Sequence, residues 1–226
     1  MERGAGRPRS TGRALMVALQ RIIPRGWDAC IVAATGPSLT ESVAAQCRGR
    51  PVIAVNDAYR RLPFADVLYA CDDEWWDVHH GCPDFTGEKW STHRQGTDDK
   101  LDCAARWGLR LVAGYDGEGF SVAPDRLHYG MNSGFQGINL ALLFGATTVL
   151  LVGFDMRTTV PRHFFGDHPP GLKNGAKYEH FRSAFNQAAR MLPPHITILN
   201  CTPGSALDCW PILPLEEALC AMTPEP

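Results

Sequence analysis

Residues 29–39 read Ala-Cys-Ile-Val-Ala-Ala-Thr-Gly-Pro-Ser-Leu. A short run of continuously apolar residues, Ala29–Ala34, stops at Thr35-Gly36-Pro37-Ser38, and helix-compatible residues follow over Leu39–Cys47. A strand that is apolar on both faces is a strand buried on both faces, as in a parallel sheet covered by helices. Similar runs recur at Val52–Val55, Asp66–Ala70, Leu109–Ala113, Val149–Val152 and His195–Leu199. Between them lie stretches with helical character, chiefly Gly134–Phe144, Lys177–Met191 and Pro214–Ala221. Strands alternating with helices predict an α/β fold: a Rossmann-like, doubly wound, mostly parallel sheet with helices on both faces.

Composition agrees with one such domain. The 226 residues are 45% hydrophobic and 20% charged, and 22 Lys+Arg against 24 Asp+Glu give a net charge of −2. These values exclude a disordered, collagen-like or coiled-coil chain, and an overall basic nucleic-acid binder. Eight cysteines include no Cys-x-x-Cys pair, which reads as reduced thiols in a cytosolic protein rather than zinc or redox motifs. Residues 1–27, with six arginines against the single acid Glu2, read as a basic arm entering a short helix, and 28–226 as the domain. Phe135–Phe154 is 20 residues long and uncharged. Its polar Gln136 and Asn139 and the break Gly145-Ala146-Thr147-Thr148 read as helix, turn and buried strand rather than a membrane span. Two stretches, 74–100 and 156–176, read as long loops, and long loops in a compact domain are usually functional or mobile.

In doubly wound sheets ligands bind beyond the carboxyl ends of the strands. That rule selects Gly36, Pro37 and Ser38 after the first strand, Asn56 and Asp57 after the second, Asp72 and Asp73 after the third, and Asp155 after the fifth. Gly36 lets backbone approach a ligand, and Ser38 with nearby amides suits a phosphate. The spacing is neither a Walker loop nor Gly-x-Gly-x-x-Gly. Asn132, Ser133 and Gly134 open the most apolar helix; an N-cap explains them equally well. The richest segment is His163-Phe164-Phe165-Gly166-Asp167-His168. A histidine with a carboxylate makes a general base and its orienter, so His168 or His163 pairs with Asp167 or Asp155. Arg157, Arg162 and Lys173 supply charge for a departing phosphate. Magnesium, if used, would fall to Asp72 and Asp155. His79-His80 and Cys82 are a poor metal set, and Trp75, Trp76 and Trp90 read as packing residues.

The ordered set Gly36-Pro37-Ser38-Leu39, Asn56-Asp57, Asn132-Ser133-Gly134 and Gly153-Phe154-Asp155 resembles the Campylobacter-type bacterial sialyltransferases. It is also similar to the related DUF115 proteins, which include MptE-like hydroxymethylpterin diphosphokinases and motility accessory factors. Phage-encoded relatives share the Gly-Phe-Asp and Gly-Asp-His-Pro elements. The sialyltransferase resemblance implies a Rossmann-like domain that binds a cytidine nucleotide. Gly36, Pro37 and Ser38 would meet phosphate or ribose, Asn56 the nucleotide, Ser133-Gly134 the cytidine end, and His163 or His168 would be the base. Those enzymes begin Gly-Asn-Gly-Pro-Ser where this chain has Ala34-Thr35-Gly36, and they support the departing phosphate with tyrosines. No tyrosine occurs between Gly130 and Ala176, so Arg157, Arg162 or Lys173 would substitute. The diphosphokinase resemblance implies ATP, magnesium and a pterin, with Asp72, Asp73 and Asp155 on the metal.

The leading expectation is a glycosyltransferase using a CMP- or NDP-linked donor, in the cytoplasm of a bacterium or a phage-infected host. Its acceptor is left open among glycan, protein and nucleic acid, as is a homo-oligomer. The alternatives are a magnesium-dependent diphosphokinase and a non-catalytic nucleotide-binding or assembly protein.

Overall fold

The opening apolar run becomes β1 (Ala29–Ala33), at the heart of a sheet seen in a computed structural model that describes residues 18–94, 99–158, 161–172 and 177–221. The elements that follow are α1 (Glu41–Gln46), β2 (Val52–Val55), β3 (Val67–Tyr69), α2 (Asp73–Val78), β4 (Glu88–Arg94), α3 (Asp99–Trp107) and β5 (Arg110–Tyr115). Then come β6 (Arg126–His128), α4 (Ser133–Leu143), β7 (Thr148–Val152), α5 (Tyr178–Arg190), β8 (Thr197–Asn200) and α6 (Leu215–Ala221). The eight strands form one sheet in the order β6-β5-β4-β3-β2-β1-β7-β8, every pair parallel. The chain builds outward from β1 to β6, then returns through α4 to place β7 on the other side of β1. That reversal is the switch point of a doubly wound fold.

Alternation along β1 sends Cys30 and Val32 to one face and Ile31 and Ala33 to the other, and each face has its own core. The first core is sealed by α4 and α5 and contains Phe135, Ile138, Leu140, Phe154 and Phe185. The second, under α1, α2, α3 and α6, holds Leu39, Trp75, Trp76, Cys103 and Leu215. Burial on both faces is why these strands carry no polar alternation. Ten of the eleven residues of α4 are buried, and each fully buried large apolar side chain there contributes roughly 1.5–3 kcal/mol. The uncharged stretch 135–154 is thus α4, a turn and β7. Among the described residues no helix is long and apolar enough to cross a membrane.

One expectation changes, and a second falls mostly outside the described residues. The segment 74–100 is not a long loop: it carries most of α2, all of β4 and the start of α3. The strand β4 escaped the apolar pattern because three of its four buried residues, Ser91, Thr92 and His93, are polar; Thr92 is paired in the core, while Ser91 Oγ and His93 Nδ1 are buried without a hydrogen bond. Thr92 and Tyr69 donate to Gln136 on α4, whose amide donates to the Tyr129 carbonyl at 2.8 Å. A buried polar residue with a partner costs little, so the core tolerates it. The second is the chain entry, read as a basic arm with a short helix over 1–27. Residues 18–27 hold no helix. Leu19 instead bridges Leu111, and the amide of Ile22 donates to Pro124 at 2.6 Å, so this stretch runs extended along the sheet edge. Residues 1–17 lie outside the described residues.

Candidate functional site

Register aligns the strand ends that matter. Ala33 pairs with Ala54 on one side and Val152 on the other, so Thr35, Asn56 and Gly153 all emerge at one edge of the sheet. Glycine is needed twice there. Gly153 has φ +73°, and a side chain on it would run into the Ala34 carbonyl. A side chain on Gly36 would run into the Asp155 carboxylate and the Gly153 carbonyl. The amide of Gly36 donates to Gly153 at 2.9 Å, stitching the two loops together.

Asp155 closes this junction from the side. It accepts from the Ser38 hydroxyl at 2.6 Å and from the Ser38 amide at 3.3 Å. The Ser38 amide, expected to face a phosphate, is therefore held by a carboxylate of the protein itself. The helix α1 begins further on, with Thr40 as its N-cap. Pro37 belongs to the turn between them.

What stays open at the switch point is a crevice of about 130 Å³, lined among others by Thr35, Gly36, Asn56, Ser133, Gly134, Asp155, His163 and Tyr178. Asn56 sits at φ +50°, a conformation asparagine tolerates better than most residues. Its Oδ1 is buried without a hydrogen-bond partner. Asn132 caps α4 by accepting from the Phe135 amide at 2.9 Å, while the Ser133 hydroxyl accepts from the Cys71 amide at 3.3 Å. The capping role and a position beside the crevice coexist, because the first turn of α4 points its amides toward the strand ends.

The loop after β7 folds back over this edge. The Phe164 amide donates to the Thr35 carbonyl at 3.0 Å, and Thr35 Oγ1 shares a hydrogen bond of 2.9 Å with His163 Nδ1. Burial, and next the neighbouring His168, lower His163 to a pKa of about 4. At neutral pH it is thus an uncharged hydrogen-bonding group.

Two larger cavities flank the crevice. One of about 400 Å³ shares Asn56 with it and is lined by Asp72, Glu74, Trp75, His168, Gly171 and Leu172. The other, of about 630 Å³, shares Tyr178 and contains Arg157, Lys177, His180 and Arg182 against the single carboxylate Glu179. The run of cavities is therefore acidic at one end and basic at the other. A crevice of 130 Å³ is below the ~300–1,000 Å³ of a typical ligand pocket, so a nucleotide would extend into a neighbour.

The candidate residues separate clearly on this geometry. Gly36, Asn56, Asn132, Ser133, Gly134, Asp155, Arg162 and His163 meet at the crevice. Asp72 and His168 lie in the acidic cavity, and Arg157 in the basic one. Asp57 does not line the crevice: it is wholly buried behind Trp75. Asp155 is engaged by Ser38, while Asp167 is exposed and its charge reaches His163. Lys173 lies outside the described residues. Asp72 and Asp155 line different cavities, and among the described residues no three His, Cys, Asp or Glu side chains converge on a metal position. The two carboxylates expected on magnesium are therefore not brought to one position. Trp75, Trp76 and Trp90 are buried, 0–3% exposed.

The residue that sequence reasoning missed is Tyr178. It stands two positions beyond the stretch searched for a tyrosine, and the loop preceding α5 brings it back to the end of β7. Burial raises its pKa, with Arg162 opposing and Asp155 reinforcing, so its phenol keeps its proton and can donate.

No protein-family model matches the chain, and no curated protein matches it. Among solved structures it is similar to the MAf glycosyltransferase of Magnetospirillum magneticum AMB-1, at 16% identity and a TM-score of 0.59. That match covers 86% of this chain but 35% of the other, so the chain spans about a third of that enzyme's length. It is also similar to the sialyltransferase CstII of Campylobacter jejuni, solved with the substrate analogue cytidine-5'-monophosphate. Identity is 16% and the TM-score 0.50, over 82% of this chain and 84% of the other. At such identities the likeness is one of fold: a Rossmann-like α/β architecture shared with glycosyltransferases.

Proposed function

We infer that the protein is a glycosyltransferase that moves a sugar from a nucleotide-activated donor to a hydroxyl group. The observation that carries this reading is the charge-graded run of cavities at the β1/β7 switch point. A neutral crevice stands in the middle, with proton donors and cations on one side and a histidine with carboxylates on the other. The shared fold with two glycosyltransferases, one solved with a cytidine nucleotide, supports the same class.

The nucleotide occupies the crevice, with Asn56 Oδ1 accepting from its base or ribose and the first turn of α4 facing it. Arg162 and the Tyr178 hydroxyl meet the departing phosphate, and Arg157 receives a second phosphate if the donor carries one. His168 takes the proton of the acceptor hydroxyl. The oxygen's electron pair forms the new bond to the anomeric carbon, and the bond from that carbon to phosphate oxygen breaks, the pair leaving on phosphate. Asp72 and Glu74 beside His168 repel an anionic acceptor and accept hydrogen bonds from a polyhydroxyl one, which favours a neutral saccharide over nucleic acid.

A thermal-shift panel of CMP, CDP, UDP, GDP, ADP and ATP, with and without magnesium, tests the donor class. A ligand at 100 times its Kd stabilises the native state by about 2.7 kcal/mol. A metal-independent rise with one base is expected. A rise only with ATP and magnesium would point to the diphosphokinase reading, and no rise with any nucleotide would refute a nucleotide site.

A further inference from the structure

Asp57 is the buried charge that the transfer reading leaves without a task. It sits where β2 passes into the short 3-10 turn Asn56–Arg60, and its side chain is 0% exposed. A carboxylate is almost never buried to this degree unless other groups compensate it. Those groups come from three separate elements. Trp75 Nε1, on α2, donates to Oδ2 at 2.9 Å. Arg60 Nη1 and His79 Nε2 each lie 3.5 Å from Oδ1, and His168 Nδ1 lies 4.0 Å from Oδ2. Tyr59, Cys82 and His163 are the other titratable groups that feel its charge.

These partners are not equivalent. The Arg60 side chain is 51% exposed, so water screens its charge, whereas His79 and His168 are 13% and 14% exposed. His79 stacks on the Trp75 ring with centroids 4.3 Å apart, and burial lowers its pKa, so it serves as neutral packing. Of the two histidines only His168 lines the acidic cavity. Its ring also packs against His163, with centroids 4.6 Å apart.

We propose that Asp57 is a positioning residue for His168. Its carboxylate, fixed by the Trp75 indole, faces Nδ1, keeps the imidazole in the tautomer protonated at Nδ1, and so leaves the lone pair on Nε2. When the acceptor O–H bond breaks, its proton goes to Nε2 and its electron pair to the forming C–O bond. Asp57 stays ionised and gives the imidazolium a counter-charge. At 4.0 Å the contact is longer than a hydrogen bond and becomes an ion pair only when His168 is protonated; catalytic contacts of this kind in unliganded sites tighten once substrate is bound. The pairing spans 111 residues of sequence and replaces the nearby Asp167 as the acid behind the histidine. The catalytic task rests on the reading of His168 as the base; the pairing itself does not.

The test is a long-range proton–nitrogen correlation spectrum of the full chain labelled with ¹⁵N-histidine, recorded near pH 8, with His168 assigned from the His168→Gln spectrum. The expected result is the Nδ1–H tautomer for His168 in the wild-type protein and mixed tautomers in Asp57→Asn. An Nε2–H tautomer in the wild type overturns the pairing and needs no Asp57 variant that folds. Transfer assays supply the second arm: Asp57→Asn is expected to lower kcat by about 10²–10⁴-fold with KM little changed. If His168 is the Nδ1–H tautomer and His168→Gln keeps full activity, the base assignment falls, and with it the catalytic task of Asp57. If His168→Gln is inactive and the tautomer is Nε2–H, the pairing alone falls.

Discussion

Replacing Asp155 with alanine unties the junction between β1 and β7, and the cost can be worked from its contacts. The carboxylate accepts a short bond from the Ser38 hydroxyl, 2.6 Å, and a longer one from the Ser38 amide, 3.3 Å. Hydrogen bonds to a charged group contribute roughly 1.5–3 kcal/mol each, and the longer one belongs at or below the bottom of that range. The junction is half-buried, so water recovers part of the loss, and a destabilisation of about 2–3 kcal/mol results. For a chain of this size each kcal/mol moves Tm by roughly 2–4 °C, so calorimetry is expected to show a fall of about 4–12 °C. Ser38→Ala removes the short bond but leaves the backbone amide to donate, and is expected to cost less. The double variant is expected to lose less than the sum of the two singles, because both remove the same bond. An Asp155→Ala protein melting within a degree of wild type refutes the view that this carboxylate pins the strand ends.

Four further outcomes follow from the same geometry. Gly36→Ala forces a methyl group onto the Asp155 carboxylate and the Gly153 carbonyl, and overpacking of this kind costs about 1–3 kcal/mol by urea denaturation. Trp75→Phe keeps the ring packing but strips Asp57 of its 2.9 Å donor, and is expected to cost about 1–3 kcal/mol; an unchanged urea midpoint would show that Asp57 does not need it. His163 holds its proton less well folded, at a pKa of about 4, than unfolded, near 6.5. The unfolded state therefore binds more protons between those values, and stability falls as pH drops from about 6.5 to 4. His79, also lowered by burial, adds a slope of the same sign, so His163→Gln is expected to flatten the stability–pH curve in that window without abolishing its slope. Tyr178→Phe removes one proton donor beside Arg162 and is expected to lower kcat roughly 10-fold or more with the fold intact; undiminished turnover would remove Tyr178 from the site.

How far the sequence carried the fold depended on which strands are covered on both faces. The strands β1, β2 and β7 stand out as apolar runs because α4 and α5 lie on one face and α1 and α6 on the other. Strand β4 stays hidden because three of its four buried residues are polar, and the partners of Thr92, which are Tyr69 and Gln136, are ones that sequence alone does not assign. Strand β6 is three residues long and carries no periodicity at all. Within the site, Gly36 and Asn56 were legible from one topological rule about strand ends, and Ser133 from its place at the start of the most apolar helix. The orientation of Asp155 was not, since its partner Ser38 lies 117 residues away. The sequence selects Asn56 and Asp57 alike at a strand end, and only the fold shows Asn56 lining the crevice while Asp57 is buried beneath Trp75. Tyr178 escaped for the same reason: a return loop determines which end of α5 meets β7.

The most direct test of a sugar transferase at the β1/β7 switch point is nucleotide release. The full chain is incubated with a panel of nucleotide sugars and neutral saccharide acceptors, and free nucleotide is followed by chromatography with and without a chelator. The expected result is release from one donor class that requires an acceptor, survives the chelator and falls at least about 100-fold in His168→Gln. Release that is equally fast in His168→Gln, or that no donor supports, contradicts it.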